Sequence, residues 1–198
     1  TYQFIKGLLQ NVPDLKIDSN HMMAISPDEG ATGRAIYLAN VLGLDMGMFY
    51  KRRDYTRIVD GRNPIVAHEF LGSSVEGKDV IIIDDISSGD SILDVAKQLK
   101  DRKANRIFAA ATFGLFTNGM KKFDVAYEQG IIHGILTTNL IYQTPELLSK
   151  PYYINCDLSK YIALIIDTLN HDGSISSILS PNERIQNVVK KYRNGEKI

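Results

Sequence analysis

This chain of 198 residues has one cysteine, no net charge and no long apolar run. Cys156 is the only cysteine, so no disulfide can form within the chain and a reducing cytoplasm is the expected location. The 23 basic and 23 acidic residues cancel, which argues against bulk electrostatic attraction to nucleic acids or membranes. No apolar run approaches the roughly 18 residues that a membrane-spanning helix needs. These absences favour a cytoplasmic protein and argue against a nucleic acid or a membrane as its partner.

The most informative pattern is VIIIDDISSGDS, at residues 80–91. Four apolar residues end in two adjacent carboxylates, Asp84 and Asp85, and a turn of small residues then opens into a helical pattern. The apolar run is typical of a strand buried on both faces, as in a parallel sheet. Amide N–H groups that converge in such a turn, beside a helix N-terminus, attract phosphate. The segment therefore predicts an anion site next to two acids.

A sugar phosphate would satisfy both halves of this pattern. The carboxylates would repel a bare phosphate, so hydroxyls or a hydrated cation are their expected partners. The phosphate would lie on the amides of the turn, and the vicinal hydroxyls would lie on Asp84 and Asp85. An ordinary strand–turn–helix junction with Asp and Ser as caps has the same spacing, and spacing alone does not separate the two. The turn residues are Ser87, Ser88, Gly89, Asp90 and Ser91, of which the last can cap the helix or bond a phosphate oxygen.

Apolar strand-like runs alternate with helical patterns along the whole chain. This alternation predicts an α/β fold with a doubly wound, mostly parallel sheet flanked by helices, in a single domain over residues 1–198. Ligands bind such sheets at the carboxyl ends of the strands, where the paired acids and the Ser26–Pro27–Asp28 turn would lie. The predicted strands are 22–26, 45–50, 64–72, 75–85, 106–113, 133–139 and 152–155, and the main helices are 34–42, 91–103, 120–129, 161–170 and 183–192.

Five segments resemble ribose-phosphate pyrophosphokinases (PRPP synthetases) in order and separation. The junction at 80–91 resembles the ribose-5-phosphate loop of the phosphoribosyltransferase fold. ISPDEGATGRA (25–35) is similar to that family's Ser-Pro-Asp-x-Gly segment, and MFYKRRDYTR (48–57) is similar to its catalytic flexible loop. ATFGLFTNG (111–119) is similar to its Thr-His-Gly-x-x-Ser-Gly stretch, and LNHDGSISSIL (169–179) is similar to its C-terminal motif. The resemblance covers only the C-terminal half of such an enzyme. We therefore expect a chain that is part of something longer.

The resemblance implies a phosphoribosyltransferase-like fold and the transfer of diphosphate from ATP to C1 of ribose 5-phosphate, which yields PRPP and AMP. Asp84 and Asp85 would hold the ribose hydroxyls, and the turn at 87–91 would hold the 5-phosphate. The basic stretch 51–62 would be a mobile loop that closes over the polyphosphate. Within it, Lys51 and Arg53 would offset the charge of the transition state. The simpler interpretation of that stretch is a solvated basic loop.

The resemblance also implies a Mg²⁺ ion and an assembly. Mg²⁺ binds through one or two carboxylates together with substrate phosphates, so Asp28 alone would suffice as the ligand from this chain. The histidine that serves beside it in the family has no counterpart here. The family forms homo-oligomers in which neighbouring subunits complete the ATP site, and the same is expected of this protein.

Departures from the family pattern leave two alternative functions open. The turn after Asp85 is one residue short, Asp90 stands where glycine is common, and Gly33 and Phe113 replace a lysine and a histidine. One alternative is a type I phosphoribosyltransferase, for which residues 137–155 are the sole candidate for a base-reading segment. The other is a non-catalytic accessory or sensor domain that binds PRPP or ribose 5-phosphate.

Overall fold

A computed structural model describes residues 1–53, 56 and 65–198, and of residues 51–53 and 65–68 the backbone alone. The strands are β1 (Met22–Ser26), β2 (Asp45–Arg53), β3 (Ile65–Leu71), β4 (Asp79–Ile83), β5 (Ile107–Ala111), β6 (Gly134–Thr138) and β7 (Tyr153–Cys156). The helices are α1 (Tyr2–Asn11), α2 (Thr32–Leu42), α3 (Asp90–Asp101), α4 (Lys121–Glu128), α5 (Pro145–Leu148), α6 (Ser159–Asn170), α7 (Ser176–Leu179) and α8 (Asn182–Arg193).

The strands form one sheet in the order β3-β2-β1-β4-β5-β6-β7. Every neighbouring pair is parallel except β2 and β3, which are antiparallel. Each residue of β1, β4, β5 and β6 is buried, which explains why these strands are almost continuous apolar runs in the sequence. The predicted mostly parallel sheet is confirmed.

Helices cover both faces of the sheet. On one face α3, α4 and α5 insert Val95, Phe123 and Leu147 into the core. On the other face α1, α2 and α8 contribute a second apolar layer, in which Leu38 and Val188 are buried. Neither α6 nor α7 contributes a buried residue. The doubly wound arrangement is therefore also confirmed, with two helices lying outside both cores.

Some predicted boundaries are wrong for identifiable reasons. The predicted strand 75–85 is reduced to β4 because the chain turns before it, where Lys78 donates its amide to the carbonyl of Val75 at 3.0 Å. Strand β2 continues to Arg53, three residues past the predicted end, because it pairs with β3. The one-turn helices α5 and α7 were not predicted. Among the helices of the described residues, none has both the length and the apolar character required to cross a bilayer.

The order of the strands places a switch point between β1 and β4. The chain leaves β1 for β2 on one side, and after β3 it returns to β4 on the other side. Crossover connections that depart in opposite directions leave a crevice at the carboxyl ends of these two strands, and ligands of open α/β sheets bind there. The predicted acids follow β4, and the Ser26–Pro27–Asp28 turn follows β1, so both predicted groups meet at this crevice.

Candidate functional site at the switch point

A cavity of about 270 Å³ opens at the carboxyl ends of β4 and β5. Asp84, Asp85 and Thr112 line it from the sheet, and Arg34 and Tyr37 line it from α2. Ligand pockets usually occupy about 300–1,000 Å³, so this cavity is slightly smaller than most. Its lining includes the paired acids but neither Asp28 nor the turn at 87–91.

The paired acids differ in exposure and share one guanidinium. The side chain of Asp84 is 17% exposed and that of Asp85 is 63% exposed. Arg34 donates from Nη2 to Oδ1 of Asp84 and from Nη1 to Oδ2 of Asp85, each at 3.2 Å. A single planar cation therefore spans both carboxylates, which is the geometry that arginine is suited to.

Burial raises the pKa of Asp84 above the ordinary aspartate value, and the negative charges of Asp28 and Asp85 raise it further, while a hydrogen bond from the backbone amide of Asp85 lowers it. The charge of Arg34 also lowers this pKa. The fold has thus brought the three predicted acids close enough to influence one another. Repulsion between like charges at one crevice is a common property of sites that bind cations or hydroxyls.

Asp28 is held by the turn between β1 and α2. Its carboxylate oxygen Oδ1 accepts from the amide of Ala31 at 3.2 Å, and its carbonyl accepts from the hydroxyl of Ser26 at 2.6 Å and from that of Thr32 at 3.3 Å. In the described residues, no side chain or amide donates to Oδ2 of Asp28. No cluster of three or more metal-ligating residues occurs in that part of the chain either. A single free carboxylate oxygen fits Mg²⁺, which keeps most of its waters and takes its other ligands from substrate phosphates.

Ile86 anchors the turn that follows the acids. Its side chain is buried, its amide donates to the carbonyl of Phe113 at 3.3 Å, and its carbonyl accepts from Leu115 at 2.8 Å. One residue on, the carbonyl of Ser87 accepts from Thr117 at 3.0 Å. The short connection between Asp85 and Ser87 is therefore a small extension of the sheet, bridged to the segment after β5.

Gly89 allows the turn to pass under helix α3. Its φ of +86° is a left-handed conformation, and a Cβ there would lie 2.0 Å from Cζ of Phe123. Only glycine avoids both problems. Across the described part of the chain, no acceptor bonds the amides of Ser87, Ser88 or Gly89. These amides stand at the N-terminus of a 12-residue helix, so the predicted anion cradle has donors available.

Two residues of the turn behave differently from the sequence expectation. The carboxylate of Asp90, which would repel a phosphate, instead accepts from Lys122 through Oδ1 and from the hydroxyl of Ser88 through Oδ2. The hydrogen bond from Lys122 lowers the pKa of Asp90. Ser91 lies inside α3, whose N-cap is Gly89 and has no side-chain cap bond, so the capping alternative for Ser91 is wrong. The helix starts one residue earlier because Asp90 takes its first position.

The predicted catalytic pair lies on β2. The backbone of Lys51 pairs with His68 and that of Arg53 with Ile65, so both positions belong to a strand rather than to the start of a loop. The side chains of residues 51–53 lie outside the described part of the chain, as does the rest of the basic stretch apart from Thr56.

The phosphoribosyl synthetase-associated domain is a family whose model matches residues 57–180, which is more than half of the chain. The chain belongs to this family. Ribose-phosphate pyrophosphokinase of Vibrio cholerae is 29% identical over 160 residues, covering 80% of this chain and 48% of its own length. The enzyme of the same name from Pasteurella multocida is 30% identical over 167 residues, covering 83% and 50%. The chain thus spans about half the length of the curated relatives it matches.

The chain also matches a solved structure in fold. Phosphoribosylpyrophosphate synthetase from Mycobacterium smegmatis superposes with a TM-score of 0.68 at 20% identity, covering 86% of this chain and 50% of the other. This likeness confirms the fold that the motif resemblance implied.

Sequence reasoning missed the cations that engage the predicted acids. Arg34 lies in the resembling segment 25–35, six residues after Asp28, but no role was assigned to it. Lys122 lies in α4, far from Asp90 in the sequence. A signal existed for Arg34, because an arginine in the first turns of the helix after a switch-point strand faces the same crevice. No local pattern marks Lys122.

Proposed function

We propose that this chain provides the ribose-5-phosphate half of a ribose-phosphate pyrophosphokinase, which transfers diphosphate from ATP to C1 of ribose 5-phosphate and releases AMP. The observation that carries the proposal is the pairing of Asp84 and Asp85 with the unbonded amides of Ser87, Ser88 and Gly89. The acids can accept hydrogen bonds from the hydroxyls of a pentose phosphate, and the amides a few residues later can donate to its phosphate. Family membership and the names of the relatives support the same reaction.

The chain's own residues would orient the sugar. Asp84 and Asp85 would accept hydrogen bonds from the 2- and 3-hydroxyls, while the amides at the start of α3 bind the 5-phosphate. This two-point attachment fixes the anomeric hydroxyl, so that its oxygen attacks the β-phosphorus of ATP in line and AMP leaves. Orientation of this kind converts a bimolecular encounter into a step within one complex and is worth several kcal/mol of the barrier at least.

Asp28 would hold Mg²⁺, which, when bound, offsets negative charge on the phosphate oxygens. The position of Asp28 at the end of β1, next to the acids at the end of β4, supports this assignment. Lys51 and Arg53 would approach the polyphosphate from the end of β2, the strand beside β1. Positive charge placed around the transferring group is the main requirement of phosphoryl transfer.

The partners proposed for the whole protein are ATP and ribose 5-phosphate, with PRPP and AMP as products, in a cytoplasmic homo-oligomer. Because the chain spans half the length of its relatives, the residues that bind adenine would lie outside it. We expect the 198-residue chain alone to bind ribose 5-phosphate and to form little PRPP.

An assay of AMP release tests the proposal, with the protein at the length found in its host. Ribose 5-phosphate should trigger AMP formation from MgATP, and Lys51→Ala should lower turnover by at least about a hundredfold, the usual weight of one transition-state electrostatic contact. Binding of ribose 5-phosphate should be unchanged in that variant. Lys103→Ala, which removes an exposed ammonium paired with Glu76, is the control and should be fully active.

Two outcomes would contradict this assignment. Near-normal turnover of Lys51→Ala would remove Lys51 from the mechanism. Tight binding of ribose 5-phosphate without any AMP release would favour an accessory or sensor domain, and nucleotide formation from PRPP and a free base would favour a phosphoribosyltransferase.

A further inference from the structure

Arg34 is a conspicuous residue of the cavity that the proposed reaction does not use. It projects from α2, its side chain is 47% exposed, and its two terminal nitrogens each reach a different carboxylate. Within the described residues, no other side chain donates to Asp84 or Asp85. Among the described residues, Arg34 is therefore the one side chain that bonds both acids.

Side-chain hydrogen bonds reach only one oxygen of each carboxylate, and the backbone amide of Asp85 also acts on the carboxylate of Asp84. Arg34 bonds Oδ1 of Asp84 and Oδ2 of Asp85, and no described side chain donates to the second oxygen of either acid. The fork of an arginine is rigid and planar, so the two carboxylates that it bonds are held side by side. Two open oxygens, one on each of two adjacent residues, form a paired acceptor.

A vicinal diol is the chemical group that fits a paired acceptor. Its two hydroxyls are adjacent donors at fixed separation, and each can bond one carboxylate oxygen. Hydrogen bonds to an ionised acceptor are roughly twice as strong as neutral ones, so alignment of the two acids matters more than at a neutral site. A misaligned pair would still attract cations, but it would bind one hydroxyl at a time.

We propose that Arg34 is a positioning residue that confers specificity for a cis-diol sugar, because it bonds one oxygen of each of Asp84 and Asp85 and leaves the other oxygen of each for a hydroxyl. This inference rests on the proposed function, since it assigns the diol to the same two acids. It gives Arg34 no contact with the phosphate or with the reacting atoms. Its effect is limited to ligands that carry both hydroxyls.

The test is a calorimetric titration of the 198-residue chain with two ligands, ribose 5-phosphate and 2-deoxyribose 5-phosphate, which lacks one hydroxyl of the diol. Arg34→Gln should weaken binding of ribose 5-phosphate about tenfold, the cost of one charge-assisted contact. It should change the affinity for 2-deoxyribose 5-phosphate by less than about twofold, because a single hydroxyl needs no paired acceptor.

Two further variants separate geometry from charge. Arg34→Lys keeps the positive charge but has no planar fork, so its affinity for ribose 5-phosphate should stay close to that of Arg34→Gln. Lys103→Gln removes a more exposed cation from an ion pair away from the cavity and should bind both ligands normally. The thermal midpoint of Arg34→Gln should match that of Lys103→Gln, which excludes a general loss of structure.

Three results would overturn the inference. They are equal weakening of both ligands by Arg34→Gln, no weakening of either, or full recovery in Arg34→Lys. The double variant Asp84→Asn/Asp85→Asn distinguishes failure of the proposed function from failure of the role of Arg34. If that variant binds ribose 5-phosphate normally, the proposed function itself fails; if it loses binding while Arg34→Gln retains it, only the role of Arg34 fails.

Discussion

Among the glycines of the described residues, Gly89 has the least space for a side chain. It combines a left-handed backbone conformation with a lack of space for a Cβ beside the ring of Phe123, which is fully buried in the core. The amides that it and its neighbours expose at the start of α3 depend on this conformation. Both the packing of this turn and the proposed binding of phosphate therefore depend on glycine at position 89.

Gly89→Ala should destabilise the fold by more than about 3 kcal/mol, because left-handed strain adds to a steric clash with Phe123. Gly119→Ala is a matched control, since Gly119 has a φ of +71° but open space around its Cα. Strain alone should cost that variant about 1–2 kcal/mol. Urea unfolding of the two variants measures the difference, and equal losses would show that Phe123 does not restrict position 89.

The acids of the site and of the scaffold should respond to pH in opposite directions. The pKa of Asp84 is raised by burial, so its ionised form destabilises the folded state, and Asp84→Asn should be more stable than the parent at neutral pH. The pKa of Asp124 is lowered by hydrogen bonds from Lys150 and Tyr152, so Asp124→Asn should be less stable there. The Asp84 difference should shrink as the pH falls toward about 4, the ordinary aspartate pKa, because the folded state takes up the proton first. The Asp124 difference should persist to about pH 4 and shrink only below it.

Urea unfolding between about pH 3 and pH 7 tests this pair of predictions. The observation that would contradict the account is a loss of stability at neutral pH in Asp84→Asn. It would mean that the bond to Arg34 outweighs the burial of the carboxylate.

At the scale of secondary-structure elements, the helices near the C-terminus fall into two kinds. Helix α8 buries Ile185, Val188 and Val189 against the sheet face that it shares with α1 and α2. Helix α6 is richer in apolar residues, yet it buries none, and Ile166 is 62% exposed. Apolar content alone therefore does not tell which helix stabilises the fold.

Matched truncations measure this contrast. Ile185→Ala should cost about 2–5 kcal/mol, the range for removing a buried isoleucine side chain. Ile166→Ala should change stability by no more than about 0.5 kcal/mol, because it removes atoms that are already in contact with water. Chemical denaturation of the two variants gives both numbers, and a large loss in Ile166→Ala would show that α6 is covered in the protein studied.

The sequence was sufficient for the elements whose pattern is local. The strand 22–26 was predicted to the residue, because MMAIS is a short apolar run between polar turns. The extension of β2 to Arg53 was not predicted, since polar residues in an edge hairpin are held by pairing with β3. The early start of α3 was missed because Gly89, rather than a hydroxyl side chain, takes the N-cap position.

Across the whole molecule, the candidate site exists because two distant segments end at one crevice. The acids after β4 and the turn after β1 could be placed together from strand alternation and the rule for switch points. The bonds of Arg34 to the acids and of Lys122 to Asp90 could not, because they depend on how α2 and α4 rotate against the sheet. Motif order therefore predicted which segments meet, while the cations that bond their acids emerged only in three dimensions.

A crystal structure of the chain with ribose 5-phosphate tests the central claim most directly. The account predicts the 2- and 3-hydroxyls within hydrogen-bond distance of Asp84 and Asp85, and the 5-phosphate on the amides of residues 87–89. A sugar bound elsewhere, or a phosphate seated on Arg34 with the amides of the turn unoccupied, would contradict it.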